Sequence, residues 1–349
     1  LAILLAAKRK IIICWAMGLT QHENGVHNIR EIVNLLLLKG SIGKPGAGTC
    51  PVRGHSNVQG DRTMGIWEKP KEPFLASLDK RFAINTPREH GYDTIEAIEA
   101  LAENKVRFFL GMGGNFISAT PDSAYTGRAM QNCDLTVQVS TKLNRSHLVT
   151  GKEALILPCL GRTEEDLQAG EPQFVTVENS MGVVHSSRGT RKPASSNLKS
   201  EPAIVAGIAN AAIGSTLKWD EMVSNYDELR GHIEAVIPGF ENYNQRVRNP
   251  GGFYLPNGAR NQKFNTPSGK AQFTINPIST RKVGKGRLIL MTIRSHDQYN
   301  TTIYGLDDRY RGVKNGRRVL LMNIADIEFQ GLKPGQLTNV TSHYKGKER

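Results

Sequence analysis

The strongest constraint on the fold is an alternation of short apolar runs with amphipathic stretches in the middle of the chain. Residues 106–110, 135–139 and 154–158 have the length and apolar character of buried strands. An amphipathic helix is predicted over residues 93–103, and Thr120 is expected to cap a second helix between the first two strands. This order is typical of β-α-β units, in which the strands run parallel and the connections are right-handed. The sequence therefore predicts a parallel α/β sheet.

The first forty residues predict another strand, loop and helix in the same order. Residues 11–14 are a short β-branched run that fits a buried strand, and residues 15–23 form the loop. Asn24 is expected to cap a helix with one apolar face, and Gly40 is expected to end it. The N-terminal part is therefore predicted to belong to an α/β domain as well.

Three loops follow predicted strands directly, at residues 15–23, 111–115 and 140–145. Ligands of parallel sheets bind beyond the carboxyl ends of the strands, so these loops are expected to face a ligand. The glycines of 111–115 let backbone N–H groups approach an anion closely. This loop matches neither the GxGxxG pattern nor the GK[ST] phosphate loop, so the standard NAD and ATP sites are disfavoured.

The remainder of the chain predicts a less regular set of elements. They are a hairpin over 174–188, helices over 202–213 and 225–236, an irregular connector over 238–272, strands over 288–292 and 319–323, and a short helix over 325–329. The last part is richer in strand-like runs than the middle, which places a domain boundary near residue 283.

The formal net charge of +13 indicates an anionic partner, such as nucleic acid, an acidic membrane surface or a phosphate-rich cofactor. Nucleic acid is the least favoured, because the chain has no basic helix with interleaved aromatics and only 7% of its residues are aromatic. A membrane span is not expected, since the apolar opening at residues 1–7 is too short to cross a bilayer and no other run is longer.

The four cysteines, Cys14, Cys50, Cys133 and Cys159, are widely spaced and form no CxxC pair. Local spacing therefore supports neither a structural zinc site nor an iron–sulfur cluster. Free, reduced thiols in a cytoplasmic protein are expected, and all but Cys50 border apolar segments where a small core residue fits. Because the chain begins at Leu1 rather than Met, it is expected to be a piece of a longer protein.

Several longer segments resemble one known family. They are WAMGLTQH at 15–22, NIR at 28–30, GSIGKPGAG at 40–48, PVRGHSNVQG at 51–60, and the stretch from Arg294 to Gly305 that contains SHDQYNTT. These segments are similar to those of the molybdopterin oxidoreductases that carry bis-molybdopterin guanine dinucleotide, and most of all to the group like the formate dehydrogenase alpha subunit. The resemblance covers residues 11–340.

The resemblance implies an α/β fold with doubly wound parallel-sheet domains of the formate dehydrogenase/DMSO reductase type, followed by the start of a β-barrel-like domain. Residues 1–55 would be the end of one α/β domain. Residues 56–282 would be a second α/β cofactor-binding domain with an inserted small-domain segment. Residues 283–349 would be the truncated start of the dinucleotide-binding barrel-like domain. The family's metal-ligating Cys or selenocysteine, and the cysteines of any iron–sulfur cluster, are expected in a preceding part of the protein.

The resemblance also implies two catalytic residues. Arg53 matches the family arginine that orients a small anionic substrate, and its guanidinium can donate two parallel hydrogen bonds to a carboxylate. Its alternative role is that of a surface loop arginine. His55 stands where formate dehydrogenases usually have Gln. A histidine there can accept a proton near neutral pH, or it can be a spacer that points away.

The residues expected to bind the cofactor fall into three groups, and the chain itself is expected to supply no metal ligand. They are Gln21 and His22 near a pterin; Gly111, Gly113, Gly114, Asn115, Ser140, Thr141, Lys142 and Asn144 at the dinucleotide; and His296, Gln298 and Asn300 at the pterin edge. The alternatives are a helix-entry residue for His22, a tight turn for the glycines and an ordinary β-α loop for residues 140–144. Lys and Arg, helix N-termini and glycine loops suit the cofactor's pyrophosphates, which also accounts for the net charge.

The implied function is two-electron oxidation of formate or a similar small anionic substrate at molybdenum or tungsten. Electrons would pass to an acceptor protein or subunit, with no nucleic acid and no membrane span involved. The cofactor would supply the redox chemistry and the protein its orientation and electrostatics. The alternative is a cofactor-binding relative with a different substrate or no catalysis. Residues 1–349 alone are expected to show no turnover.

Overall fold

The computed structural model describes nearly the whole chain as two compact units, Leu1–Gly284 and Lys285–Arg349. The described residues are 1–52, 55, 57–214, 217–278, 280, 282–296, 298–299, 303–344 and 346–348, with backbone alone for 298–299, 303–304, 344 and 347.

The first unit contains ten strands and twelve α-helices among its described residues. The strands are β1 (Ile12–Trp15), β2 (Gly48–Pro51), β3 (Phe108–Met112), β4 (Leu135–Ser140), β5 (Glu153–Pro158), β6 (Leu167–Gln168), β7 (Glu171–Pro172), β8 (Val175–Glu178), β9 (Val183–Ser187) and β10 (Phe253–Tyr254). The helices are α1 (Ala2–Ala7), α2 (Met17–Thr20), α3 (Gly25–Leu38), α4 (Val58–Thr63), α5 (Glu72–Phe82), α6 (Thr94–Ala102), α7 (Phe116–Ala119), α8 (Ser123–Met130), α9 (Glu201–Ile213), α10 (Trp219–Ser224), α11 (Tyr226–Val236) and α12 (Tyr243–Arg246). Two 3-10 helices add Arg145–Leu148 and Gly258–Asn261.

The predicted parallel α/β sheet is confirmed. Strands β3, β4 and β5 form one parallel sheet in that order, with Phe108 opposite Leu135 and Leu135 opposite Glu153. Strands β1 and β2 form a second parallel pair, in which Cys14 lies opposite Cys50. The helices that cover both faces of a doubly wound sheet stay a prediction, because the described sheets have only two and three strands.

The helix before β4 begins later than predicted. The Asp122 carboxylate accepts a hydrogen bond from the Tyr125 N–H at 3.0 Å and so caps α8. The Thr120 hydroxyl instead donates to the Ile117 carbonyl oxygen at 2.9 Å, at the end of α7. The prediction of Thr120 as the cap was therefore wrong, because a side-chain acceptor two residues further on captures the free N–H groups.

Other predicted boundaries are close to the observed ones. Asp93 caps α6 with a capping box, in which it accepts from Glu96 N–H at 2.9 Å while the Glu96 side chain accepts from the Asp93 N–H. Strand β3 continues to Met112, because it pairs with β4 up to Val139. Asn24 precedes α3, but its side chain makes no capping hydrogen bond.

The hydrophobic core beside the parallel sheet is built by α6 and α8. Ile98 and Leu101 of α6 pack with Ala129 and Met130 of α8 and with Cys133. Burial accounts for the raised pKa of the Cys133 thiol. Phe109 of β3 packs against this cluster, which therefore holds the two helices against the sheet.

A second buried cluster lies around the antiparallel sheet of β8, β9 and β10. Phe240, Tyr243 and Phe253 meet edge to face, with ring centroids 4.7–6.0 Å apart, and Val184 and Val247 complete the cluster. The predicted hairpin over 174–188 is confirmed by the antiparallel pairing of β8 with β9.

The core prediction holds for two of the three cysteines. Cys133 and Cys159 are buried, whereas Cys14 is exposed. Strand β1 alternates, with Ile12 and Cys14 exposed and Ile13 and Trp15 half-buried. An apolar run of four residues does not reveal that only one of its faces is covered, which is why the prediction for Cys14 was wrong.

The second unit has little regular structure in its described residues. It contains β11 (Gln298–Tyr299), β12 (Ile303–Tyr304), helix α13 (Ile324–Phe329), β13 (His343–Tyr344) and β14 (Lys347–Glu348), with the strands paired as two short antiparallel hairpins. The strands predicted over 288–292 and 319–323 are wrong, since both runs are described without a ladder partner. A β-barrel-like arrangement stays a prediction. Within the described residues, no helix has the length and apolarity that crossing a bilayer requires.

We expect Leu101→Ala to destabilise the first unit by about 2–5 kcal/mol, because it leaves a cavity beside the sheet. Leu101 is 1% exposed, whereas Ile95 on the same helix is 52% exposed, which makes Ile95→Ala a matched control. Urea unfolding should show a loss of less than about 1 kcal/mol for the control. Equal losses for the two variants would contradict this assignment of the core.

Candidate cofactor site

The candidate site is the edge of the β3-β4-β5 sheet at which the strands reach their carboxyl ends. Met112 lies opposite Val139, and the ladder continues for one more bond, from the Gly113 N–H to the Val139 carbonyl oxygen at 2.7 Å. The loop of residues 113–115 therefore starts at the edge of the sheet, where parallel sheets bind ligands.

The two central glycines of this loop expose bare backbone. Gly113 and Gly114 have φ of +67° and +76°, and no atom lies within 4 Å of the position that a Cβ would take on either. Gly113 uses its N–H in the ladder. The N–H groups of Gly114 and Asn115 donate to no acceptor in the described part of the chain. Successive glycines in this conformation suit an anion that approaches the backbone.

Gly111 has a different local role. It lies within β3, and a Cβ at this position would come 2.7 Å from the Gln138 side-chain oxygen on the neighbouring strand. A side chain at this position would therefore have to displace the end of Gln138. Gly113 and Gly114 are the glycines of this loop with open space around the Cβ position.

The next loop along the sheet is bonded directly to the glycine loop. The Asn144 side-chain amide donates to the Gly114 carbonyl oxygen at 2.6 Å. The buried Ser146 hydroxyl donates to the Asn115 side-chain oxygen at 2.8 Å and accepts the Ile117 N–H at 3.0 Å. These three bonds join the segment of residues 113–117 to the loop of residues 140–146.

The same loop is organised internally by a histidine that sequence reasoning missed. The Asn144 N–H donates to Nδ1 of His147 at 3.0 Å, while the Ser146 N–H donates to the Asn144 side-chain oxygen at 2.9 Å. His147 is buried, and its Nε2 has no hydrogen-bond partner among the described residues. The N-x-x-H spacing of a capping box was the available signal.

The remaining predicted residues of this loop lie on its exposed side. The Ser140 hydroxyl donates to the Lys142 carbonyl oxygen at 2.6 Å, which closes a tight turn. Thr141 and Lys142 are exposed, and Lys142 forms no ion pair within the described residues. Its ammonium group therefore adds positive charge beside the exposed glycines.

At the amino-terminal edge of the same sheet, by contrast, the basic side chains form ion pairs. Asp134 there binds Lys152 at 2.7 Å and Arg107 at 2.5 Å. Hydrogen bonds from Lys152 and Arg107 hold the pKa of Asp134 below its ordinary value. Both cations at this edge therefore share a carboxylate, whereas Lys142 at the carboxyl edge forms no ion pair within the described residues.

The second predicted group lies at the carboxyl ends of β1 and β2. The Val52 N–H donates to the Trp15 carbonyl oxygen at 2.7 Å, which joins the two loops at their base. Gln21, His22 and His55 are exposed. Arg53 lies outside the described residues. Short helix α2 precedes Gln21 and packs on the start of α3.

Glycine is required at that packing contact. A Cβ on Gly25 would lie 2.4 Å from the Thr20 carbonyl oxygen, so the first turn of α3 can approach α2 only with glycine. No hydrogen bond within the described residues joins Gln21 or His22 to the loop that contains Gly114.

The third predicted group lies in the second unit. His296 is half exposed, and its ring stacks on Tyr310 with centroids 4.1 Å apart. Its Nδ1 lies 3.4 Å from buried Asp308, which also binds Arg311 at 2.6 Å. Gln298 is described by its backbone alone, in β11, and Asn300 lies outside the described residues. Sequence reasoning missed the Asp308–Arg311 pair that supports His296.

The surroundings of Asp308 favour the ionised form of its carboxyl group. Burial acts to raise the pKa of Asp308, but hydrogen bonds from Arg311 and from the His296 N–H outweigh it, so the pKa lies below its ordinary value of 3.8. Among the described residues, no group of three or more His, Cys, Asp or Glu side chains is arranged to hold a metal ion.

Comparison with known proteins matches residues 1–149 to the molybdopterin oxidoreductase family. Residues 1–149 belong to that family. It is 56% identical to an uncharacterized oxidoreductase of Mycobacterium tuberculosis over 346 residues, which are 98% of this chain and 44% of the relative. It is 50% identical to protein YdeP of Escherichia coli over 339 residues, 96% of this chain and 45% of the relative. The chain thus spans slightly less than half the length of these relatives.

A formate dehydrogenase likeness is weaker and partial. A Staphylococcus aureus protein whose name assigns it provisionally to the formate dehydrogenases is 33% identical over 109 residues, which cover 29% of this molybdopterin oxidoreductase chain and 11% of the relative. The matched family segment includes both β1-β2 loops and both loops at the Gly113–Asn144 edge.

We expect Ser146→Ala to destabilise this oxidoreductase chain by about 1–3 kcal/mol, because the buried Ile117 N–H and Asn115 side chain each lose a partner. Ser224→Ala is a suitable control, since the Ser224 hydroxyl is exposed and, among the described residues, bonds only to the Glu221 carbonyl oxygen. Urea unfolding of both variants checks this. A similar change for Ser146 and Ser224, within about 0.5 kcal/mol, would show that the two loops are not coupled.

The lowered pKa of Asp308 predicts acid sensitivity of the second unit. A depressed folded pKa means that the stabilisation is fully present above 3.8, the ordinary pKa, and is lost as the pH falls through the lower folded pKa. NMR titration of the Asp308 carboxyl carbon should therefore give a midpoint below 3.8. Asp308→Asn should remove this part of the acid dependence. A midpoint at or above 3.8 would refute the account of the cluster.

Proposed function

We propose that this chain is part of a molybdopterin-dependent oxidoreductase and binds the guanine dinucleotide of the cofactor at the Gly113–Asn144 edge. The observation that carries the proposal is the bare, positive-φ backbone of Gly113 and Gly114, bonded through Asn144 to an exposed polar loop. It lies at the ligand-binding edge of a parallel sheet, inside the segment that matches the family.

The donors at this edge fit a pyrophosphate linked to a nucleoside. The N–H groups of Gly114 and Asn115 and the Lys142 ammonium are suited to phosphate oxygens. The polar side chains of Ser140 and Thr141 are suited to ribose and guanine. His147 supports the same loop from its buried side, because its Nδ1 accepts the Asn144 N–H at 3.0 Å.

The other predicted residues are proposed to contact the pterin parts of a bis-molybdopterin guanine dinucleotide. They are Gln21, His22, His296, Gln298 and Asn300. When bound, the cofactor supplies two-electron redox chemistry at molybdenum or tungsten. The protein binds and orients both the cofactor and the substrate.

The proposed reaction is the oxidation of formate or a similar small anion. Arg53 would orient the carboxylate through two parallel hydrogen bonds, and His55 would accept the proton. The electrons would leave to an acceptor protein or subunit, in the cytoplasm. Residues 1–349 alone would show no turnover, and an iron–sulfur cluster would belong to another part of the protein.

A relative that binds the cofactor but uses a different substrate, or has lost catalysis, is the second candidate. Two observations favour it. His55 stands where formate dehydrogenases usually have Gln, and the formate dehydrogenase likeness covers only 29% of the chain. Formate turnover separates the two candidates, because both require the cofactor but only the first requires this substrate.

The decisive experiment measures molybdenum, tungsten, iron and pterin in the complete protein, together with formate oxidation with a dye as electron acceptor. Molybdenum or tungsten with bound pterin is expected. A protein that contains neither molybdenum nor tungsten, after expression with both metals supplied, would refute the proposal. Bound cofactor without formate turnover would select the second candidate.

A glycine variant tests the location of the site. Gly114→Ala should lower the affinity for guanosine diphosphate, used as a probe of the dinucleotide, by about tenfold or ~1.4 kcal/mol. The added methyl group would cover the backbone that the phosphate approaches. Gly170→Ala is the matched control, because Gly170 also has positive φ, +85°, and open space around its Cβ position. Calorimetry with equal losses for both variants would place the nucleotide elsewhere.

A further inference from the structure

Two cysteines lie directly opposite each other on neighbouring parallel strands. Cys14 of β1 is in register with Cys50 of β2. Because successive side chains of a strand alternate between faces, paired residues of neighbouring strands point to the same face. The strands of a sheet lie about 4.8 Å apart, and disulfides join Cα atoms that are about 4.4–6.8 Å apart. The register therefore places the two thiols within reach of a disulfide bond.

The two thiols also contact each other in the reduced protein. Both cysteines are free. A hydrogen bond between their side chains raises the pKa of Cys14 above its ordinary value, with smaller contributions from burial and from the charge of Cys50. A hydrogen bond that raises the pKa of a thiol stabilises its protonated form. The Cys14 S–H therefore donates to the Cys50 sulfur, so the side chains as well as the backbones approach each other.

The face that bears these thiols is open in the described part of the chain. Cys14 is exposed and Cys50 is half-buried. Two residues earlier on the same face, Ile12 is 55% exposed, and its partner in register, Gly48, has no side chain. A small reagent can therefore reach Cys14 from solvent, and Cys50 lies directly beside it.

The other two cysteines lie in different surroundings. Cys133 is buried with Leu101 in the core of α6 and α8, and Cys159 is buried with Val139 and Ile204. Burial raises the pKa of both thiols. Because buried cysteines in apolar surroundings are unreactive, these two serve as internal references for the exposed pair.

The pair does not have the ligands of a zinc site. Zinc is held by three protein side chains in catalytic sites and by four in structural sites. Among the described residues, no group of three or more His, Cys, Asp or Glu side chains is arranged to hold a metal ion, so Cys14 and Cys50 have no further ligand there. Two neighbouring thiols without a third ligand are suited to forming a bond with each other.

We propose that Cys14 and Cys50 are a redox-sensitive dithiol that a low-molecular-weight disulfide, such as oxidised glutathione, converts to an intramolecular disulfide. One thiolate of the pair attacks a sulfur of the reagent, which forms a mixed disulfide and releases one thiolate. The second protein thiolate attacks the cysteine sulfur of the mixed disulfide, which forms the Cys14–Cys50 bond and releases the second thiolate. The protein thiols lose two electrons and two protons, and the reagent is reduced to two thiols.

The bond would link β1 to β2 covalently where backbone hydrogen bonds already join them. The nearest of these at the carboxyl end runs from the Val52 N–H to the Trp15 carbonyl oxygen, at 2.7 Å. Because exposed disulfides are readily reduced by thiols, the modification is reversible. It depends on neither the cofactor nor the substrate of the proposed function.

The test treats the complete protein with oxidised glutathione, alkylates the remaining thiols after denaturation and identifies the tryptic peptides by mass spectrometry. Cys14 and Cys50 fall in different tryptic peptides, residues 11–30 and 40–53. The linked peptides should exceed the glutathione adduct of either cysteine by about tenfold, because the second thiol is held in place whereas glutathione comes from solution. Dithiothreitol should separate the two peptides.

Cys133 and Cys159 should remain free thiols in the same experiment, because both are buried. The proposal would be overturned if Cys14 and Cys50 were both still alkylated after the treatment. A bond from either of them to a different cysteine of the complete protein would overturn it as well.

Thr49→Cys in a Cys50→Ser background is the matched control. It moves the second thiol by one position along β2, to a residue that is exposed and in register with Ile13. Since neighbouring residues of a strand point to opposite faces, the linkage to Cys14 should fall by at least about tenfold. Equal linkage in this variant would show that the register does not bring the thiols together.

Alkylation of the reduced, native protein tests whether the face is open in the complete protein. Cys14 should react with N-ethylmaleimide at least about tenfold faster than Cys133 and Cys159, because only exposed thiols react readily. A Cys14 that reacts as slowly as these two would show that another part of the protein covers it, and the proposal would fail. This measurement uses the unchanged sequence, so it does not depend on the folding of a variant.

Discussion

The parallel ladder of β3, β4 and β5 is the interaction on which the candidate site depends. Because the three strands point the same way, the loops after β3 and β4 emerge at one edge. The Gly113 N–H extends the ladder by one bond to Val139 and fixes where the chain leaves the sheet. The core formed by α6 and α8 packs beside this sheet. A change in that packing is therefore expected to disturb the carboxyl edge of the sheet as well.

Buried polar groups connect the site to the rest of the first unit. Ser146 and Asn144 bond the two loops of the sheet edge to each other, and Glu178 bonds α4 to the antiparallel hairpin. Each group would cost free energy if it lost its partner, so each contact has one favoured geometry. Apolar packing alone does not specify direction in this way. The polar contacts are therefore the ones expected to orient a ligand.

Much of the fold could be predicted from local pattern, and the errors have identifiable causes. Periodicity located α6 and β4 to within a residue or so. The cap at Thr120 was wrong because Asp122 offers a better acceptor. The apolar run of residues 288–292 predicts a strand, but a strand needs a partner that such a local run does not reveal. Cys14 was assigned to the core because an apolar run does not show which face is covered.

The sequence by itself determined the class of the fold, the family and the loops that follow the strands, because these depend on local periodicity and on contiguous motifs. Only the tertiary structure decided which side chains support those loops. Ser146, Asp308 and Glu178 bond to residues 12 to 121 positions away, through hydrogen bonds whose partners the chain brings together only when it folds. The hydrogen-bond partners of these buried polar groups are seen only in the folded structure, because no local sequence pattern identifies residues so far apart.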